Sequence, residues 1–181
     1  GGVTLSGGGI LSVGGTFDTA RAFMLGTGGG EIDVADTFNY GITGVVSGTG
    51  ALIKDGNGIL TLSNTNLYTG GTTVSGGTLA ISADNNLGAS TGSVTLDGGT
   101  LSVSGSSVST ARSFMITASN GTIDTSTAAD NYTISSGIGG AGGLTKTGLG
   151  TVISTANNTF DGDTTISGGT LQLGDGTTNG A

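Results

Sequence analysis

Apolar residues recur along this chain at short, regular intervals. A glycine comes first, then a triplet led by an aliphatic residue: GGGILSV, GGGEIDV, GTGALIK, GGTLAIS, GGTLSVS, NGTIDTS, GAGGLTK and GGTLQLG. The leading residues are Leu11, Ile32, Leu52, Leu79, Leu101, Ile123, Leu144 and Leu171, spaced 21, 20, 27, 22, 22, 21 and 27 residues apart. Between these landmarks lie further strand-like pieces at 3–5, 22–25, 42–46, 59–62, 72–75, 94–96, 114–116 and 132–134. Most alternate apolar with small polar residues, the period of a strand with one buried face. Glycine and Asn/Asp clusters separate them and supply the positive φ values of tight corners. No stretch carries a helical period. Units of 20–27 residues with two or three strands each predict the coils of a β-solenoid, in which stacking buries what one coil cannot.

The order extends over a longer range. Residues 52–79 (LIKDGNGILTLSNTNLYTGGTTVSGGTL) and 144–171 (LTKTGLGTVISTANNTFDGDTTISGGTL) align without a gap, with 13 of 28 positions identical. The landmark series nearly repeats after about 92 residues. The chain therefore reads as one solenoid, 1–181, of about eight coils in two four-coil superunits, about 1–90 and 91–181. The 27-residue intervals predict a protruding loop at NTNLYTGG and ANNTFDGD, with Tyr68 and Phe160 leaning over the surface. Eight coils at roughly 4.8 Å per strand would make a rod on the order of 40 Å long.

Composition sharpens this picture. Gly (40), Thr (32) and Ser (20) make up half of the 181 residues, yet charged residues are only 9% and mean hydropathy is +0.20. Disorder goes with the opposite balance. A net charge of −8 with four basic residues argues against nucleic acid and anionic membranes as partners. No apolar run approaches the roughly 20 residues of a membrane helix. Cys and His are absent, which removes thiolate chemistry and the commonest general base and metal ligand. The first residues show no signal peptide and neither end reads as a cap, so the chain reads as an internal slice of a longer rod.

The two long repeats closely resemble the passenger-associated transport repeat of bacterial autotransporters. The residues that carry the resemblance in the first copy are Leu52, Lys54, Gly56, Gly58, Leu60, Leu62, Asn66, Tyr68, Gly70, Thr72, Val74, Gly77 and Leu79. In the second they are Leu144, Lys146, Gly148, Gly150, Val152, Asn158, Phe160, Gly162, Thr164, Ile166, Gly169 and Leu171, with departures at Ser154 and Phe160. The resemblance implies a right-handed parallel β-helix displayed outside a Gram-negative outer membrane, exported through a C-terminal barrel that is not in this sequence. It implies help with passenger translocation and folding. Because the family includes adhesins, proteases and esterases, it names a scaffold and not an activity.

The chemistry-bearing residues point the same way. The basic residues fall in repeat-equivalent pairs, Arg21 with Arg112 and Lys54 with Lys146. An active site is normally unique, so these read as structural, at strand edges or in ladders and paired with Asp33 and Asp124. Asp161 and Asp163, with Asp55, Asp84, Asp97 and Asp130, are the only route to a carboxylate-pair hydrolase or a calcium loop. GGLTKTG lacks the glycine a phosphate loop needs, and GTGGGE opens a strand, not a helix. Threonine pairs recur only every 92 residues, which argues against an ice-binding array. The expected function is a non-catalytic stalk or scaffold, with no cofactor or metal. Its expected partners are further coils of the same or an adjacent chain and host or cell-surface glycans or matrix proteins. The alternatives are a carbohydrate-active or carbohydrate-binding β-helix and a filament module.

Overall fold

The computed structural model describes residues 1–176. Within them the chain winds as a parallel β-helix, and every strand pairing is parallel. Each turn of about 20 residues lays down one pass on each of three flanks. The first flank is an eight-stranded sheet: Gly9–Val13, Gly30–Val34, Leu52–Asp55, Thr72–Val74, Val94–Leu96, Phe114–Ile116, Ile138–Gly140 and Thr159–Phe160. The second is also eight-stranded: Phe17–Thr19, Asn39–Ile42, Ile59–Leu62, Thr78–Ile81, Thr100–Val103, Gly121–Asp124, Leu144–Thr147 and Thr164–Ile166. Eight turns are thereby present, as the landmarks predict.

The third flank is broken. It opens with Val3–Leu5, Phe23–Leu25 and Val46–Gly48 and resumes with Val108–Thr110, Asn131–Ile134, Thr151–Ser154 and Thr170–Leu173. In the gap the chain passes twice without forming a strand. Leu67 and Thr69 donate backbone N–H groups to Val46 and Gly48 at 2.7 and 3.0 Å. Above them runs a single 3₁₀ turn, Asp84–Leu87, tied to the pass below by Asn66 N–H to Asn85 O (2.9 Å) and Ala89 N–H to Tyr68 O (2.9 Å).

Side chains alternate in and out along each strand, so inward residues stack into columns. On the first flank Leu11, Ile32, Lys54, Val74, Leu96 and Ile116 form one such column. On the second, Leu60, Leu79, Leu101, Ile123, Lys146 and Ile166 form another. The aliphatic landmarks from Ile32 to Leu144 are buried, and Leu11 and Leu171 pack partly against the same core. Each repeat thus places one lysine as a rung in an otherwise aliphatic ladder.

The structure also changes the meaning of the 27-residue interval. It holds no protruding loop. Tyr68 is fully buried, its hydroxyl 2.7 Å from Thr72 Oγ1, and Phe160 packs partly against the core. The extra length carries the landmark one flank onward, from the first flank at Leu52 to the second at Leu79, and from the second at Leu144 to the third at Leu171. The repeat consequently spans four turns and one flank. Leu52–Asp55 lies on the first flank, whereas its equivalent Leu144–Thr147 lies on the second. Likewise Ile59–Leu62 lies on the second flank and Thr151–Ser154 on the third. The strand expected over 42–46 is also revised. Asn39–Ile42 ends before the corner and Val46–Gly48 begins after it. Between them Gly44 passes so close to the coil below that a Cβ would stand 2.1 Å from Arg21 O.

Candidate functional site

The motif residues form two copies of one device that fastens each coil to the next. Leu52, Lys54 and Gly56 show how it is built. Alternation turns Lys54 inward with Leu52, and its ammonium then curls up to the corner that follows. It donates to Asp55 O (2.6 Å), Gly56 O (2.7 Å) and, one coil on, Gly76 O (3.2 Å). The second copy repeats this: Lys146 donates to Thr147 O, to Gly148 O at 3.2 Å and to Gly168 O at 3.3 Å. Three carbonyls satisfy three ammonium protons, which is what allows a lysine to sit in a dry ladder. Gly56 (φ 72°) and Gly148 (φ 74°) make the corner. A Cβ there would meet Val34 O at 2.3 Å and Thr125 O at 2.1 Å. Burial pulls Lys54 down to about 8, opposed by the Asp55 and Asp33 carboxylates. Lys146 is lowered for the same reason, opposed by Asp124.

Neither lysine forms an ion pair with Asp33 or Asp124, contrary to expectation. Asp124 instead accepts from Ser126 (2.7 Å), Thr147 (2.8 Å) and Ser102 (3.1 Å) across three coils. Burial pushes its pKa up, but those hydroxyls and the Lys146 charge hold it below the usual carboxylate value. Asp33 takes a long contact from Ser12 Oγ at 3.4 Å. The lysines face inward and these carboxylates face outward, so the pleat keeps them apart.

Asn66 and Asn158, matched to the motif without an assigned role, replace missing ladder bonds. Asn66 Oδ1 accepts the Val46 N–H at 2.8 Å, and its amide donates to Asn86 O at 2.6 Å. Asn158 Oδ1 accepts the Ile138 N–H at 2.9 Å and the Ser154 hydroxyl at 3.0 Å. Ser154, where the family prefers an aliphatic residue, is buried and uses its hydroxyl for that bond. The remaining motif glycines, Gly58, Gly70, Gly77, Gly150, Gly162 and Gly169, also lie where neighbouring coils leave no room for a Cβ. Thr72 is buried against Tyr68, whereas Thr164 is exposed opposite Phe160, which has no hydroxyl to offer.

Among the described residues Arg112 is the one basic residue with an ion pair. Its guanidinium is almost wholly buried in the break of the third flank. Nε donates to Asp84 Oδ1 at 2.8 Å, one terminal nitrogen to Ala89 O (2.5 Å) and Gly92 O (3.1 Å), and the other to Gly88 O (2.7 Å) and Asp84 O (3.1 Å). All five N–H donors are used. Tyr132 lies within electrostatic reach of this pair; burial raises its pKa first and the Asp84 charge adds to it, with Arg112 opposing.

The carboxylates considered for catalysis or calcium are dispersed. Asp130 caps a turn, accepting the backbone N–H groups of Thr127 (2.7 Å) and Gly105 (2.8 Å), which hold its pKa down. Asp97 is lowered by its bond from the Thr117 hydroxyl. Asp84 is taken by Arg112, Asp55 lines the outer first flank, and Asp161 and Asp163 are exposed on the last coil. Among the described residues no group of three His, Cys, Asp or Glu could hold a metal ion, and no helix is long and apolar enough to cross a membrane.

Threonine register differs from expectation as well. Thr78, Thr100, Thr122, Thr145 and Thr165 stack on five successive coils of the second flank. The neighbouring outward column holds Ala80, Ser102, Asp124 and Thr147. The threonines therefore make a single rank and not a two-rank hydroxyl lattice.

The repeated polar residues of this parallel β-helix stitch coil to coil, and comparison with known proteins shows where such repeats occur. Residues 52–81 and 144–173 match the passenger-associated-transport-repeat family. Over 71 residues the chain is 45% identical to the "Adhesin BmaC autotransporter" of Brucella suis biovar 1 (strain 1330), a stretch that is 39% of this chain and 2% of that protein. No solved structure gives a significant match. The chain thus carries two passenger-associated transport repeats within a parallel β-helix.

Proposed function

We propose that the chain is a rigid, non-catalytic stalk of a surface-displayed autotransporter on a Gram-negative outer membrane, supporting passenger translocation and adhesion to glycans or matrix proteins. One observation carries the reading: the lysine and asparagine side chains that recur in both repeats are spent on bonds within the rod. Lys54 and Lys146 each bind three backbone carbonyls, and the same bonds recur 92 residues apart. Residues repeated in this way maintain a coil and leave no unique reactive centre. The adhesin name of the similar protein supports adhesion as the use of the surface.

Beads coated with the 1–181 chain, offered arrays of glycans and matrix proteins together with glycoside and ester substrates, test this. Capture without turnover is the expected result. Turnover abolished by Asp161→Asn and Asp163→Asn together would replace the stalk with a carbohydrate-active enzyme.

A further inference from the structure

The outer surface of this rod ties many of its hydroxyls to the neighbouring coil. Ser47 donates to Phe23 O (3.2 Å), Ser104 to Ile81 O (3.2 Å), Ser135 to Thr110 O (3.0 Å) and Ser102 to Asp124 (3.1 Å). Other hydroxyls bond no described residue, among them the threonine column of the second flank, and three such serines gather at the break in the third flank. There the 3₁₀ turn faces the resuming strand Val108–Thr110 across a shallow cleft of about 350 Å³, lined by residues 82–85 and 107–109. Ser82, Ser107 and Ser109 are exposed in it, and their hydroxyls bond no described residue. Asp84 gives Oδ1 to Arg112 and keeps Oδ2 free of protein partners, with its side chain 25% exposed against 1% for Arg112.

These groups select a chemistry. The carboxylate is neutralised and fixed by a guanidinium whose donors are all in use, so a cation gains little from it and an anion is repelled by what remains. Oδ2 is an acceptor without a donor, and three serine hydroxyls can each donate and accept. Such a set suits a ligand that is uncharged and carries adjacent hydroxyls, and the volume, at the small end of ligand clefts, admits about one ring. We propose that this cleft is a subsite for a neutral saccharide ring, with Asp84 Oδ2 accepting from two sugar hydroxyls and Ser107 and Ser109 completing the contact. The proposal deepens, and rests on, the reading of the chain as an adhesive rod.

The test uses ¹⁵N–¹H spectra of the 1–181 chain titrated with galactose, mannose and N-acetylglucosamine, each to high millimolar concentration. Saturable shifts confined to the amides of 82–85 and 107–109 are expected with at least one sugar. Ser107→Ala with Ser109→Ala should weaken that sugar by about tenfold, since each lost hydroxyl forfeits roughly one hydrogen bond. Both side chains are exposed and unbonded, so the fold is left intact. Thr73→Ala, on the first flank, should change nothing. No saturable shift in the cleft, or equal affinity in the double variant, would overturn the proposal. Coated beads separate it from the wider reading. Equal glycan capture by chain and double variant leaves the adhesive rod standing and removes the cleft. Sugar saturation of the cleft without any bead capture does the reverse.

Discussion

Arg21 and Arg112 hold the same place in the sequence repeat and have opposite environments. Arg21 is exposed and makes one side-chain bond, to Gly1 O at 2.9 Å. Arg112 is sealed in the break of the third flank with all five donors used. Their one shared partner is equivalent, Gly1 O for Arg21 and Gly92 O for Arg112; the other partners of Arg112, Asp84, Gly88 and Ala89, lie 23–28 residues before it, on and just after the 3₁₀ turn, and the positions that correspond to them precede Gly1. Lys54 and Lys146 make the contrasting pair. Their partners are carbonyls of their own corner and of the next coil, so both copies look alike. Arg112 instead reaches back 20–28 residues to its own partners.

The largest effect that sharpens this comparison is expected from Arg112→Ala. It strips Asp84 of its counter-charge and leaves carbonyls at 84, 88, 89 and 92 short of a donor, a loss on the order of 3–5 kcal/mol. Arg21→Ala should stay within about 0.5 kcal/mol, as exposed substitutions do. Arg112→Lys should recover only a minor part, because an ammonium cannot reproduce the planar fork. Urea denaturation midpoints at constant slope measure all three. A near-equal loss for Arg21 and Arg112 would break the comparison.

Lys54→Met and Lys146→Met come next. Each removes a buried charge, which is favourable, and abandons three carbonyls, which is not. The balance should be a loss of about 1–2 kcal/mol at neutral pH, alike for the two within about 0.5 kcal/mol. A smaller cost of about 1 kcal/mol is expected for Asn66→Ala, with the freed Val46 amide exchanging faster against deuterium.

How far the sequence discloses this follows the same line. The coils, the inward aliphatic columns and the motif are legible because each is written in a contiguous, periodic stretch. Lys54 is legible in principle: two residues after Leu52 in a strand, it must share that inward face. The third-flank crossing at 64–71 is hidden because Asn66, a side chain, does there what backbone pairing does elsewhere, so NTNLYTGG carries no strand period. Arg112 is hidden because its partner Asp84 lies 28 residues away in the sequence. The threonine column is hidden because strand register, not sequence spacing, brings Thr122 beside Thr145.

The last expected effect, and the one with a distinctive sign, is the response of stability to alkali. Lys54 titrates at about 8 in the folded chain against its ordinary 10.5. Between those values the unfolded chain holds a proton the folded chain has released, so stability should rise with pH. Below about 8 both states are protonated and the penalty is complete; above 10.5 both are neutral and it is gone. Lys146 acts in the same direction. The three carbonyl bonds favour the charged amine and oppose desolvation, so the combined gain should be only about 1–3 kcal/mol. Tyr68 imposes the upper limit. Burial pushes its phenol up to about 12, with the Thr72 bond and Arg112 opposing. The folded chain therefore keeps that proton above pH 10 while the unfolded chain loses it, and stability should fall from pH 10 toward 12. Tyr132 adds to the fall, since burial raises its pKa as well. Urea midpoints should accordingly climb from pH 8 to about 10 and then drop. In Lys54→Met with Lys146→Met the climb should vanish while the drop remains. A wild-type midpoint that declines steadily from pH 8 would show that the buried ammonium groups are not held against their desolvation, and that the two lysine rungs carry their charge at no cost to the ladder.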